Sequence, residues 1–215
     1  MLSFFEKNKT VKPKKNFDAP KKFQDLKKIP SSELKQRLVD IDLRKAIQLP
    51  QGYPEEDWIY IGLLDCLYHV SLLQNCLYGE CTDESCPVMN AGSKYEYLWQ
   101  DNDQHKKATK VSAPQYISLF LDWAEKLLAV DKLTSTECAA VKSPEFRSTV
   151  KTIARRLIRI YGHIYYSHWD VIVERGAQAH LNTCFCQFLY FVQEFGLCSD
   201  QDIEPLKQVV DRVEN

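Results

Sequence analysis

The chain has 215 residues, 45% hydrophobic and 12% aromatic, with only seven glycines. That excludes a fibrous or low-complexity protein and fits one globular, helix-rich domain, with or without a tail. A net charge of −1 hides an asymmetry: residues 1–30 hold nine lysines against Glu6, Asp18 and Asp25, a balance of +6, which leaves −7 for the rest.

The opening MLSFFEKNKT places Lys7 and Lys9 soon after a very short apolar run, so it offers neither the apolar stretch of a signal peptide nor a membrane span. A reducing interior is expected, where most of the eight cysteines serve as buried thiols and a few as metal ligands. Residues 1–30 read as a basic flexible arm; a solvated tail and a docking arm for an acidic partner or a nucleic acid both fit that composition.

After Pro30 the run SSELKQRLVDIDLRKAIQ predicts a serine-capped helix with Leu34, Leu38, Ile41 and Leu43 near one face. A second helix is predicted over about 55–77. Pro54 suits its first turn, Glu55, Glu56 and Asp57 complement the positive end of its dipole, and Trp58, Ile61, Leu64, Tyr68 and Leu72 recur at core-facing intervals. KYEYLW alternates Tyr95, Tyr97 and Trp99 and, with the turn residues QDNDQ and the run KKATKV, predicts a short hairpin. Ser112 caps a helix to about 129, Ser143, Pro144 and Glu145 start a long one to about 165, AHLNTCFCQFLYFVQEFG is apolar enough for a central helix, and SDQDIEPLKQVVDRVE closes the chain.

Two motifs carry chemistry. Cys81 and Cys86 form C-x4-C in CTDESCPVMN, and His163 and His168 form H-x4-H in YGHIYYSHWD. Two thiolates and two imidazoles make a full tetrahedral set for one zinc, and four protein ligands leave no open position, so a structural ion is expected; buried thiols and packed histidines are the bland alternative. Residues five apart on a regular helix diverge by about 140°, so the two histidines can share a metal only if the helix ends or bulges between them. With 76 residues between Cys86 and His163, such an ion would act as a long-range clamp. Cys66, Cys76, Cys138, Cys184, Cys186 and Cys198 read as core, and His69, His105 and His180 show no recognisable partner.

The second motif lies in STVKTIARRLIRIYGH. Phe146, Val150, Ile153, Leu157, Ile160, Tyr161 and Ile164 make a buried stripe, whereas Lys151, Arg155 and Arg159 fall four apart on another face with Arg156 beside them. Stacked like charges are either screened by solvent or neutralised by a bound anion, and the arginine fork suits a phosphoserine or phosphothreonine. Glycine-rich phosphate loops, H-E-x-x-H, G-x-S-x-G and the kinase signatures are missing, which points to a non-enzyme.

Together, KTVKPKKN at 9–16, CTDESCPVM at 81–89, KYEYLW at 94–99, SAPQYI at 112–117, RRLIRIYGHIY at 155–165, HLNT from 180 and FVQEF ending at 195 resemble the Mob (Mps-one-binder) family, most closely its kinase-activating branch. The resemblance implies a mainly α, compact helical bundle with a small hairpin and one zinc on Cys81, Cys86, His163 and His168, spanning 31–215 as a single domain. It implies an adaptor, monomeric when alone, that binds the N-terminal regulatory region of NDR/LATS-type AGC kinases. The implied kinase-facing residues are Asp57, Trp58 and Asp65, with Tyr53 where an acidic neighbour is usual. Arg155, Arg156 and Arg159 match the family's phosphopeptide pocket, which would dock a phosphorylated Hippo-type kinase or scaffold. Thr10 matches a regulatory phosphorylation site, while QRLVDIDLRK lacks a second threonine and residues 130–145 lack the family's Phe-Pro loop. Cytoplasmic, nuclear and spindle-pole or division-site locations accompany these roles. The alternative from another class is a nucleic-acid-binding zinc protein that uses the lysine arm and the arginine face.

Overall fold

The computed structural model describes residues 10–11, 23–128 and 145–214. Most of the expectations for the basic arm, together with Cys138, Ser143, Pro144 and the missing Phe-Pro loop, lie outside the described residues. Among the described residues the protein is mainly helical: α1 Ser31–Leu34, α2 Leu43–Ala46, α3 Glu55–Cys76, α4 Ala113–Leu128, α5 Phe146–Ser167, α6 Trp169–Glu174, α7 Gln178–Glu194, α8 Asp200–Ile203 and α9 Lys207–Val213. Short strands β1 Thr10–Val11, β2 Asn90–Ala91 and β3 Tyr95–Tyr97 form an antiparallel sheet in the order β1-β3-β2. No described helix is long and apolar enough to cross a membrane.

Helices α3 and α4 begin where their start signals stand. Pro54 is the N-cap of α3 and three acidic residues fill its first turn. Ser112 Oγ accepts from Gln115 N–H at 3.3 Å at the start of α4, and Ser199 and Asp202 form a capping box at α8. The predicted hairpin is present, closed by mutual Trp99 and Thr109 backbone bonds of 2.8 and 2.7 Å. The principal neighbours of β3 are nevertheless β2 and β1, with Glu96 opposite both Asn90 and Val11.

The first predicted helix is corrected. Residues 31–47 form two single turns, α1 and α2, and the N-cap of α1 is Pro30 rather than a serine. Leu38 and Ile41, assigned to an apolar face, are exposed. The stretch between the turns bonds to α7 instead of to itself: Leu38 N–H donates to Thr183 Oγ1 at 2.9 Å, and the Asn182 amide donates to Glu33 O at 2.8 Å and Gln36 O at 3.3 Å. These side chains occupy backbone groups that a continuous helix would pair internally. Upstream, Leu26 and Ile29, within the segment read as arm, are buried, and Arg212 of α9 donates to both of their carbonyls.

Helix α3 spans almost the predicted residues but buries the opposite face. Ile59, Tyr60, Leu63, Cys66, Leu67, Val70 and Leu73 point inward, while Ile61, Tyr68 and Leu72 are 52%, 60% and 44% exposed. Its approach to α7 is set by Gly62, where a Cβ would stand 2.5 Å from the Phe191 ring. Gly62→Leu is therefore expected to destabilise the fold by about 1–3 kcal/mol through overpacking, outweighing the roughly 1 kcal/mol that replacing a helical glycine can return. Urea unfolding checks this; an unchanged midpoint, or no partial recovery on adding Phe191→Leu, overturns the close crossing.

Candidate metal centre and charged faces

The cysteine loop leaves the end of α3 and is built by local bonds. Cys81 N–H donates to Leu77 O at 3.1 Å and Cys86 N–H to Thr82 O at 2.8 Å. Thr82 and Ser85 exchange side-chain to backbone bonds of 3.0 and 3.1 Å, and Ser112 Oγ donates to Asp83, tying the loop to α4. The histidines come from the other side. His163 lies within the last turns of α5, and His168, with φ −134° and ψ 11°, is at once the C-cap of α5 and the N-cap of α6. The helix thus ends between them, as a shared ion requires.

The four donor atoms lie within 4.8 Å of one another. Cys81 Sγ is 3.7 Å from His163 Nε2, Cys86 Sγ is 3.4 Å from His168 Nε2, and the two Nε2 atoms are 3.3 Å apart. Zinc bonds of about 2.3 Å to sulfur and about 2.0–2.1 Å to nitrogen would set tetrahedral donors about 3.3–3.8 Å apart, so these residues can hold such an ion. His163 Nδ1 lies 3.1 Å from Asn90 O, an acceptor for Nδ1–H that leaves Nε2 free to ligate. That carbonyl reaches it because Gly162 lets α5 lie against β2: a Cβ there would be 3.0 Å from Ala91 Cβ.

Cysteine chemistry separates this site from the rest. Contact with Cys81, and then with His163 and His168, holds the Cys86 thiol far below the ordinary range despite burial. Burial raises four cysteines away from the site: Cys184 to about 11 and Cys198 to about 12, with Cys66 and Cys186 also shifted upward. His69 and His105, for which the sequence offered no partner, lie 3.6 Å from Asp65 and 3.3 Å from Asp101.

The arginines of α5 do not form a uniform face. Lys151 is exposed and Arg155 half-buried, its Nε donating to Lys151 O and its Nη2 to Thr152 Oγ1, both at 3.2 Å. Arg156 and Arg159 are only 8% and 6% exposed. The Arg156 guanidinium lies 4.5 Å from the Trp99 ring centroid and 4.1 Å from that of Trp123, and donates to Gln100 O at 2.6 Å. Arg159 lies 4.9 Å from the Tyr97 ring and donates to Tyr116 Oη at 3.3 Å. Burial, with Arg159 and Arg155 adding to it against Tyr116 and Asp101, lowers the Arg156 pKa to about 10, so it stays charged at neutral pH. The sequence located these arginines but not their aromatic enclosure; the alternation of Tyr97 and Trp99 was the available signal.

On α3, Asp57 is exposed, in line with the outward residues Ile61, Tyr68 and Leu72. Trp58 is half-buried, and its indole N–H donates to Ile47 O at 2.9 Å, bracing α2. The Asp65 carboxylate accepts from Gln187 of α7 at 2.5 Å. Asp57, Asp65 and three exposed apolar side chains thus share one side of the helix, and Trp58 belongs chiefly to the packing beneath it.

The profile of the Mob1/phocein family matches residues 35–206. MOB kinase activator 3A of Homo sapiens is 39% identical over 209 residues, covering 97% of this chain and 95% of its own length. MOB kinase activator 3C of Mus musculus is 36% identical with the same coverage, and MOB kinase activator-like 1 homolog B of Dictyostelium discoideum is 39% identical over 208 residues, 97% of this chain and 94% of its own. With a full-length match of this strength, the chain belongs to the Mob1/phocein family.

Proposed function

We propose that this protein is a non-catalytic kinase co-activator, held in shape by one structural zinc, that binds the N-terminal regulatory region of an NDR/LATS-type AGC kinase through the outer side of α3. The single observation that carries the kinase reading is that Ile61, Tyr68 and Leu72 stand exposed beside Asp57 and Asp65. An apolar stripe with carboxylates suits a basic amphipathic helix. The relatives named as kinase activators supply the class of partner. Arg155, Arg156 and Arg159 are assigned to a phosphothreonine of an upstream Hippo-type kinase or scaffold, and Thr10 to regulation of the lysine-rich arm. The nucleic-acid reading is weaker, because Arg156 and Arg159 are enclosed by aromatic rings rather than spread along a surface.

Zinc would supply a cross-link alone, since four protein ligands fill its coordination sphere. Purified protein is expected to carry one zinc per chain, and stripping it with a strong chelator, or Cys86→Ser, should cost at least about 4 kcal/mol of unfolding free energy, the constraint a loop of this length confers. Elemental analysis and urea unfolding check both; folded protein without zinc overturns the metal assignment.

Binding to a basic helical peptide from a kinase regulatory segment should weaken at least about tenfold in Tyr68→Ala, a change of about 1.4 kcal/mol or more. A phosphothreonine peptide should bind, its unphosphorylated twin should not, and Arg155→Ala should lower that affinity roughly tenfold. Calorimetric titrations with both peptides and a DNA duplex decide the matter: equal affinity for the two phosphothreonine-series peptides removes the phosphate pocket, and steeply salt-dependent duplex binding favours the nucleic-acid reading.

A further inference from the structure

A carboxylate stands directly behind the arginine cage. Asp101 has a side chain only 9% exposed and is used on both oxygens. Oδ1 accepts from the backbone N–H groups of Asp103 at 3.0 Å and His105 at 2.8 Å, whereas Oδ2 accepts from the Trp99 indole N–H at 2.8 Å and lies 3.3 Å from His105 Nδ1. Burial opposes its ionised form, and the bonds from His105, Trp99 and Asp103 outweigh that effect and lower its pKa, so the carboxylate is ionised at neutral pH. Oδ1 therefore shapes the hairpin turn that carries Gln100, and Oδ2 fixes the plane of Trp99.

Those two residues, with Trp123, are what Arg156 rests on. Its guanidinium faces the Trp99 ring and bonds Gln100 O, and Trp99 is wedged edge-on against Tyr116 and Trp123, at centroid distances of 5.2 and 6.0 Å. A rotated indole would remove one wall of the cage and let the guanidinium swing.

We propose that Asp101 is a positioning residue of the anion pocket, acting through Trp99 on Arg156. The proposal rests on the assignment of that pocket to a phosphothreonine, and it makes a counterintuitive demand. Electrostatics alone has a carboxylate beside a cationic pocket repelling phosphate, so neutralising it should strengthen binding. Positioning requires the reverse.

The test is Asp101→Asn, which retains an oxygen for the turn amides but offers an N–H to the indole N–H that Oδ2 accepts. Its affinity for a phosphothreonine peptide, read by fluorescence anisotropy, is expected to fall roughly tenfold, while the urea midpoint shows that the variant is folded. In a Trp99→Phe background, where no indole N–H exists, the same substitution should add nothing; a general folding defect would add to it. Unchanged or tighter binding by Asp101→Asn overturns the positioning role while leaving the pocket intact. A wild type that fails to bind the phosphothreonine peptide overturns the pocket, and this role with it.

Discussion

Helix α5 is buried along nearly its whole length, and that burial forces the polar side chains it carries to find partners inside the protein. A guanidinium or imidazole withdrawn from water costs several kcal/mol unless new contacts replace hydration. Arg156 finds two indole faces and a carbonyl, Arg159 a phenol and a ring face, and His163 a carbonyl and the cysteine loop. Each of these partners comes from residues 81–123, which is why that segment folds against α5 rather than elsewhere. The cysteine loop, β2, β3, the hairpin and α4 can thus be understood as the coat that one charged, buried helix requires.

The same logic separates what the sequence disclosed from what it hid. The Cys/His cluster was legible because its chemistry is carried by residue type: two thiols and two imidazoles in short pairs are a donor set that can hold zinc. Even the condition on it, a helix end between His163 and His168, followed from geometry and is met. The arginines were legible as a pattern but not as an environment. Periodicity places Arg156 and Arg159 away from the main apolar stripe, and nothing local shows that β3, the hairpin after it and α4 will bring Tyr97, Trp99, Tyr116 and Trp123 over them. Contacts separated by more than 30 residues belong to the fold.

Helix α3 failed differently. Its limits were set by Pro54 and the acidic first turn, which are local signals, whereas the choice of face was not local at all. Apolar residues occupy both sides, so spacing supports Ile61-Leu64-Tyr68-Leu72 as readily as Ile59-Leu63-Cys66-Val70. The deciding feature is Gly62, whose missing Cβ admits Phe191 and brings the second set against the core. A helix apolar on two sides with only one buried is itself informative, because the exposed side must be tolerated for some reason other than packing. Residues 31–47 erred from the same cause, since side chains of α7 captured backbone groups that propensity alone would assign to a helix.

The two proposed docking faces share a design. On α3, Asp65 is already oriented by Gln187, so an arriving basic side chain meets a carboxylate in place and does not have to order one. On α5, Arg156 is already desolvated between indoles, so a phosphate would find a guanidinium with less water to remove and few rotamers left to it. In both cases the ordering cost is borne during folding, where the large core can offset it, and is not charged again against the weaker free energy of association. A protein that acts by holding partners, and offers no group to react with them, gains affinity most directly from such pre-organisation. On the proposed reading, Gln187 and Asp101 would bear on binding through the side chains they hold in place, Asp65 and Trp99.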